Sequence, residues 1–254
     1  MKEKIVFISG ASAGIGAATA IAFADQGARL LLAARRMDKL NAVAAEARSR
    51  GAQVHVVELD VRDRNAVLAV LGALPLEWRS IDVLVNNAGL SRGLDKLYEG
   101  KIDEWEEMID TNIKGLLYVT RSVVPGMVER GRGHIINLGS TAAIMSYGNG
   151  AVYCATKAAV HSINDSLRQD VLGTPVRVTC VDPGMVETDF SRVRFHGDEE
   201  RAAKVYEGLK PLTPEDVAES IVWIASRPQH VNIAQVVLTS VDQANSLQFN
   251  RQPA

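Results

Sequence analysis

Ile5-Val-Phe-Ile-Ser-Gly-Ala-Ser-Ala-Gly-Ile-Gly16 is the stretch on which the fold turns. Ile5 to Ile8 are apolar and long enough for a buried strand, and a helical pattern follows to about Gln26. Between them, three glycines stand in the spacing G-x-x-x-G-x-G, at Gly10, Gly14 and Gly16. A glycine-rich turn from strand to helix lets the backbone come close to a phosphate, and the helix N-terminus adds unpaired N–H groups and partial positive charge. Gly10, Ser12, Gly14, Ile15 and Gly16 are therefore candidate cofactor-binding residues. The bland alternative is a tight strand-to-helix turn; the flanking strand and helix favour binding.

Outward from this turn, strands and helices alternate. Arg29 to Ala33 reads as a second strand, ending in Ala34-Arg35-Arg36. An acid there would repel a ribose 2′-phosphate, whereas arginine grips one with charge-assisted hydrogen bonds, so Arg35 and Arg36 predict NADP(H). Their alternative role is as solvated charges opening the next helix, Met37 to Arg50. A third strand, Gln53 to Leu59, ends at Asp60-Val61, where the carboxylate is placed to accept from an adenine amino group. A helix over Arg62 to Ala73 and a strand over Ile81 to Val85 lead to Asn86-Asn87-Ala88-Gly89, a hydrogen-bonded turn with Asn87 beside the cofactor. Ile102 to about Val128 reads as one long helix carrying Asn112, a polar group that must find partners if buried. Pro125 marks a last turn or a kink.

Ile135 to Leu138 is a fifth strand leading to Ser140. A helix from Ala151 to Leu172 follows, then a strand from Pro175 to Val181 ending at Asp182-Pro183-Gly184. The Val186 backbone and the Thr188 side chain are placed to bond a carboxamide. Residues 189–212 are polar and irregular, with a short helix around Glu199 to Tyr206, and read as a lid or substrate loop. A capped helix runs from Thr213 to Ala225, and Asn232 to Leu238 is a seventh strand. The tail from Asp242 has little to bury and is expected to pack on a neighbouring subunit. The prediction is one α/β domain over 1–254: a Rossmann-like, doubly wound parallel sheet of about seven strands with helices on both faces and the site at the carboxyl ends of the strands.

Tyr153-Cys-Ala-Thr-Lys157 carries the chemistry. Residues four apart share a helix face, so the phenol and the ammonium point the same way. A fixed ammonium favours phenolate and is expected to bring the tyrosine closer to working pH. Ser140 is placed to hold a carbonyl or alkoxide oxygen beside it. Without context, Tyr153 reads equally as an interface tyrosine and Lys157 as a solvated charge.

Bulk properties narrow the class. The 254 residues are 47% hydrophobic and 23% charged, with a net charge of -2, which gives no basic signal for nucleic acid or a membrane surface. The two cysteines, Cys154 and Cys180, lack metal-ligand spacing and predict reduced thiols, no metal and a cytoplasmic location. Met1-Lys-Glu-Lys4 lacks the apolar run of a signal peptide.

The ordered set Gly10-x-x-x-Gly14-x-Gly16, Asp60, Asn86-Asn-Ala-Gly89, Asn112, Ser140, Tyr153-x-x-x-Lys157 and Pro183-Gly184 resembles the short-chain dehydrogenase/reductase family across nearly the whole chain. The resemblance implies catalysis by Ser140, Tyr153 and Lys157, with Asn112 completing a proton relay, and contacts to the cofactor from Tyr153, Lys157, Pro183 and Gly184. Ser9 stands where that family usually has threonine. Met108 to Arg121, Pro125 to Arg130, Gly133 to Ala142 and Val193-Arg-Phe195 are similar to NADP-dependent 3-hydroxy acid dehydrogenases, of the kind acting on serine, L-allo-threonine and 3-hydroxypropionate. Ser91-Arg92 and Ala143 to Tyr147 depart from that pattern. A 3-hydroxy acid needs a carboxylate partner; Arg194 is the first choice and Arg92 the alternative, while Arg194 reads equally as a charge paired with Asp198 or Glu199. The family resemblance also implies a homotetramer. Two other functions stay open: a broad NADPH-dependent carbonyl reductase and a non-catalytic NADP-binding regulator.

Overall fold

Strand residues are apolar at nearly every position because both faces of the sheet are covered. In β1 (Ile5–Ser9), Val6 and Ile8 enter one core while Ile5 and Phe7 enter the other. In β2 (Arg29–Ala34), Leu30 and Leu32 lie on the first side and Leu31 on the second. The structure is a computed structural model and describes residues 1–252. β3 (Val54–Glu58), β4 (Val83–Asn86), β5 (Gly133–Leu138), β6 (Val176–Pro183) and β7 (Gln235–Leu238) complete one sheet. Its order is β3-β2-β1-β4-β5-β6-β7, parallel at every pairing. The order reverses between β1 and β4, which opens a crevice beyond the strand carboxyl ends.

The helices are α1 (Gly14–Asp25), α2 (Met37–Ser49), α3 (Arg64–Gly72), α4 (Ile102–Ile109), α5 (Leu116–Glu129), α6 (Thr141–Ile144), α7 (Ala151–Asp170), α8 (Phe190–Arg194), α9 (Glu199–Lys204) and α10 (Pro214–Ala225). Phe23, Leu40 and Ile221 seat α1, α2 and α10 on one face; Val67, Met127 and Val171 close the other around α3, α5 and the end of α7. Thr213 and Asp216 form a reciprocal capping box that starts α10. No described helix is long and apolar enough to cross a membrane.

Three expectations need correction. The helix expected over Ile102 to Val128 is interrupted by a π-helical turn, Asp110–Gly115, centred near Asn112; Pro125 lies inside α5. β7 starts at Gln235 rather than Asn232, because the Asn232 side chain occupies the ladder. Its Oδ1 accepts from Val178 N–H at 2.7 Å and its Nδ2 donates to Val178 C=O at 3.1 Å. Residues 189–212 are less irregular than predicted. Phe190 and Val193 pack against the cluster of Leu90, Met108 and Tyr153, and that apolar face supports the short α8. The tail has contacts on its own chain. Gln243 Oε1 accepts from Met185 N–H at 2.8 Å, and Arg251 donates to the carbonyls of Glu207 and Val205.

Candidate active site

The glycine turn is built by close backbone approach. Gly10 has φ +68°, and a Cβ there would lie 2.9 Å from Ala88 Cα. A Cβ on Gly16 would lie 2.4 Å from the Gly10 carbonyl oxygen, so this glycine is needed for packing behind the loop. Ser9 Oγ accepts from the N–H groups of Asn87 and Ala88 at 3.2 and 3.1 Å. Asn87 Nδ2 returns bonds to the carbonyls of Ser9 and Gly10 at 3.0 and 3.1 Å. The turn after β4 is therefore stitched to the turn after β1. α1 follows with no side-chain cap from Ala13 and no acid in its first turn, which leaves its N–H groups open to an anion.

Beside it, Arg36 donates to Ser12 Oγ at 3.4 Å, and Arg35 lies 3.7 Å from Asp60. The Asp60 carboxylate takes four bonds from Arg62, its backbone N–H and its guanidinium, the shortest at 2.6 Å. Burial works to raise this carboxyl, and the Arg62 bonds and charge overcome it, holding it below the usual carboxylate range. Asp60 is thus chiefly a partner of Arg62 rather than the open adenine acceptor read from sequence. The uncapped helix, the two arginines and the absence of an acid at the end of β2 fit a dinucleotide with a 2′-phosphate.

A cleft of about 650 Å³ joins this turn to the Tyr153 face of α7. All the sequence-predicted site residues line it except Gly16, Asn112 and Arg194. Pro183 and Gly184 enter from the end of β6. Gly184 leaves room for Gln243, whose Oε1 would stand 2.1 Å from a Cβ. Val186 pairs with Leu212 through the Met185 carbonyl and the Glu187 N–H rather than through its own N–H. Thr188 Oγ1 accepts from Phe190 N–H at 3.1 Å and starts α8.

Ser140, Tyr153 and Lys157 converge in the cleft, all with under a tenth of their surface exposed. Ser140 caps α6, its Oγ accepting from Ala142 N–H at 3.1 Å. Lys157 Nζ donates to the Leu138 carbonyl at 2.8 Å and lies 5.9 Å from the centre of the Tyr153 ring. Burial lowers the Lys157 pKa to about 8, with Cys180 and Asp182 opposing. Tyr153 corrects the sequence-based expectation: burial pushes its phenol up, not down, and the groups that pull it back are Arg194 and the Ser140 hydroxyl. Desolvation of the phenolate outweighs the nearby positive charge.

Asn112 lies behind the cleft wall. Its Oδ1 accepts from Leu90 N–H at 2.9 Å, and its Nδ2 donates to the Leu90 carbonyl at 2.9 Å and to Thr156 Oγ1 at 3.0 Å. These bonds lock Leu90 beside the site and leave Oδ1 one acceptor position. A Cβ on Gly89 would sit 3.3 Å from Asn112 Oδ1 and 3.7 Å from Lys157 Nζ, so glycine preserves the space between them.

The two candidate substrate arginines diverge. Arg92 forks onto Glu107 at 2.6 and 3.2 Å and donates to the Val193 carbonyl, which ties α8 to α4. Three of its five N–H donors are engaged in this way, which leaves it less free than Arg194 for a carboxylate. Arg194 instead stacks over Tyr153 at 5.5 Å and Phe190 at 5.0 Å, and donates to Tyr147 Oη at 3.3 Å. Its buried Nε has no partner among the described residues, and none of their ion pairs joins it to Asp198 or Glu199. Burial pushes the Tyr147 phenol up to about 12, so it remains a neutral hydroxyl in this cluster.

Sequence reasoning missed the support beneath Ser140. The fully buried Asp182 carboxylate accepts from Ser140 N–H at 2.9 Å, His161 Nε2 at 2.7 Å, Gln235 Nε2 at 2.7 Å and, more weakly, Cys180 Sγ at 3.4 Å. The sequence signal was an acid rather than an apolar residue at the end of β6, with a histidine one helical turn past Lys157.

The pattern of the short chain dehydrogenase family matches residues 4–199. The chain is 49% identical over 241 residues to the NADP-dependent 3-hydroxy acid dehydrogenase YdfG of Salmonella typhi, covering 94% of this chain and 96% of that one. It is 42% identical over 253 residues to the NADP-dependent 3-hydroxy acid dehydrogenase of Schizosaccharomyces pombe, covering 99% and 98%. Among solved structures, the closed form of serine dehydrogenase complexed with NADP+ matches with a TM-score of 0.92 and 46% identity, over 98% of this chain and 100% of that one. Glycine turn, cleft and Ser140–Tyr153–Lys157 cluster thus sit in a chain that matches these proteins almost end to end: the chain belongs to the short-chain dehydrogenase family.

Proposed function

We propose that this protein is an oxidoreductase that moves hydride between NADP(H) and the 3-hydroxyl carbon of a small 3-hydroxy acid, of the serine, L-allo-threonine or 3-hydroxypropionate kind. The observation that carries the reading is the convergence of Ser140, Tyr153 and Lys157 in the cleft that also holds Arg35, Arg36 and the uncapped α1 terminus, with Arg194 stacked on Tyr153. The names of the relatives support the same chemistry. NADP, when bound, supplies or takes up the hydride. Residues Gly10, Ser12, Gly14, Ile15, Arg35 and Arg36 hold its phosphates, and the 2′-phosphate falls to the arginine pair.

The protein orients the substrate and moves the proton. Ser140 Oγ holds the substrate oxygen. Tyr153 Oη gives its proton to that oxygen in reduction and takes it back in oxidation. Burial keeps the phenol protonated at neutral pH, which suits the reducing direction. Arg194, whose buried Nε–H has no partner among the described residues, receives the substrate carboxylate.

The site works within one domain, with residues 189–212 as substrate loop. Two apolar faces support assembly as a homotetramer: Ile109 and Leu117 stand exposed on the α4–α5 side, and Trp223 and Val237 beside the open edge of β7. The buried free thiols of Cys154 and Cys180 support a cytoplasmic location. A panel of 3-hydroxy acids and neutral alcohols of matched size, each with NADP and NAD, tests the function. Preference for the acids with NADP is expected. Equal turnover of neutral alcohols would make the protein a broad carbonyl reductase, and no turnover of any member would make it a binding protein.

A further inference from the structure

The turn from Leu138 to Ser140 is held at both ends. Lys157 donates to the Leu138 carbonyl at 2.8 Å, and Asp182 accepts from the Ser140 N–H at 2.9 Å. Between them, Gly139 donates to the Val181 carbonyl at 2.8 Å. A Cβ at Gly139 would lie 1.8 Å from Asp182 Oδ1, so the turn rests directly on the carboxylate. Every partner of Asp182 is a donor, as an ionised carboxylate requires. His161 from α7 and Gln235 from β7 hold its two oxygens at 2.7 Å each. A carboxylate with no exposed surface beneath a serine and a lysine is a costly arrangement, and the proton-transfer steps described above do not use it.

We propose that Asp182 is a positioning residue of this site: braced by His161 and Gln235, it fixes the Ser140 turn and supplies the negative charge that balances the Lys157 ammonium. The proposal rests on the reading that Ser140, Tyr153 and Lys157 manage the proton. The charged and titratable groups around Lys157 are Asp182 and Cys180 from β6, Tyr153 and His161 from its own helix, and Arg194 from α8 beyond Tyr153. Burial and the adjacent Asp182 push the Cys180 thiol far up, so it carries no charge at working pH. Asp182 is therefore the anion that opposes the burial of Lys157, whose pKa stands at about 8.

The sign follows. Without the Asp182 charge the ammonium loses its proton at lower pH, and with it the positive charge beside Tyr153, so the alkaline limb of carbonyl reduction moves down. A purely structural role would lower the rate without moving the limb. The test is Asp182→Asn, which keeps the shape and removes the charge, assayed for kcat/KM against pH with NADPH affinity measured in parallel by fluorescence. We expect kcat to fall by about 10- to 100-fold, the usual loss when a supporting partner is removed. NADPH affinity should hold within about a factor of three, and the limb should move down by roughly half a unit or more. Should the asparagine variant fail to fold, His161→Arg decides. His161 is partly exposed, and a guanidinium there puts a permanent positive charge on the same carboxylate, so the limb should move the same way. A limb that stays in place in the folded variant overturns the proposal, whatever the loss of rate. Failure of the underlying reading looks different: Tyr153→Phe would then retain turnover in an otherwise wild-type chain.

Discussion

The turns after β1 and β4 and the loop over residues 189–212 line the same cleft but are held by different forces. The turns are fixed by backbone contact and by short bonds among Ser9, Gly10, Asn87 and Ala88. The loop is held by the packing of Phe190 and Val193 and the stacking of Arg194 on Tyr153, and at its rim by polar contacts: Lys39–Asp189 at 3.5 Å, Arg192–Asp189 at 2.9 Å, His196 on the buried Glu104 at 2.8 Å and the Arg92 bond to the Val193 carbonyl. Exposed pairs contribute about 0–1 kcal/mol each. A short loop with rim contacts of this kind opens at lower free energy than a turn with no room for a Cβ. The cofactor side is therefore a rigid frame and the substrate side an adjustable cover. Ser140, Tyr153 and Lys157 stand on the frame.

The largest effect should come from the frame. Tyr153→Phe removes the proton carrier and leaves the glycine turn intact, so turnover should fall by about 10²- to 10⁴-fold while NADP still binds. In the wild type, burial keeps the phenol protonated at neutral pH, and alcohol oxidation needs it deprotonated. Oxidation should therefore accelerate as pH rises, and the residual rate of the phenylalanine variant should lose that dependence. Steady-state kinetics in both directions checks this, and near-normal turnover in the folded variant would remove Tyr153 from the chemistry.

Arg35 and Arg36 probe the frame at its other end. Replacing both with alanine should weaken NADP by roughly 1.5–3 kcal/mol, the range for hydrogen bonds to charged groups, with little change for NAD. Titration with both dinucleotides separates the cases. Equal losses would show that Arg36 serves Ser12 and Arg35 serves Asp60, and that neither reads a 2′-phosphate.

On the cover, Arg194→Ala should cost about 1.5–3 kcal/mol in kcat/KM for a 3-hydroxy acid and little for a neutral alcohol of similar size. Parallel losses on both would mean that Arg194 only seats α8 against Tyr153 and Phe190. The carboxylate would then need another partner, and Arg92, which lines the cleft and keeps two donors beyond its bonds to Glu107 and Val193, is the next to replace.

The frame was far more legible in the sequence than the cover, for a physical reason. A glycine turn, an arginine pair and a Tyr-x-x-x-Lys spacing are each local in the chain and so can be read from spacing, even though the bonds that stitch Ser9 to Asn87 cross 78 positions. The cover and the supports act through contacts between distant residues. Arg92 meets Val193 across 101 positions, Gln243 meets Met185 across 58 and Asp182 meets Ser140 across 42. No spacing announces such pairs. The Tyr153 pKa was misread for the same reason, because the sequence shows the neighbouring lysine but not the depth of burial. The π turn at Asn112 was missed because helical periodicity on both sides masks an extra residue, although Asn112 itself was singled out.

The smallest effect tests the latch between cover and frame. Glu107→Gln keeps the shape at the Arg92 fork and removes the charge that anchors Arg92, and through it the Val193 carbonyl. Two partly exposed pairs are involved, to Arg92 and more weakly to Arg62, so the substrate KM should rise only a few-fold, within about 1 kcal/mol, with kcat and NADP affinity unchanged. Amide exchange over 189–212 should quicken, because the loop spends more time open. The pH dependence has a definite sign. Hydrogen bonding to Arg92 is the main influence on the Glu107 carboxyl, and with the charges of Arg92 and Arg62 it holds the carboxyl below its usual value against burial. A depressed carboxyl contributes its stabilisation above its unfolded pKa and loses it as pH falls through the folded one. The wild-type latch should therefore stay closed through neutral pH and loosen only below the ordinary carboxylate range. There its KM should approach that of the glutamine variant, which has no charge left to lose at this position. A parallel loss of NADP affinity in Glu107→Gln would place this pair in the frame, through Arg62 and Asp60, and the division between rigid frame and adjustable cover would have to be redrawn along α4.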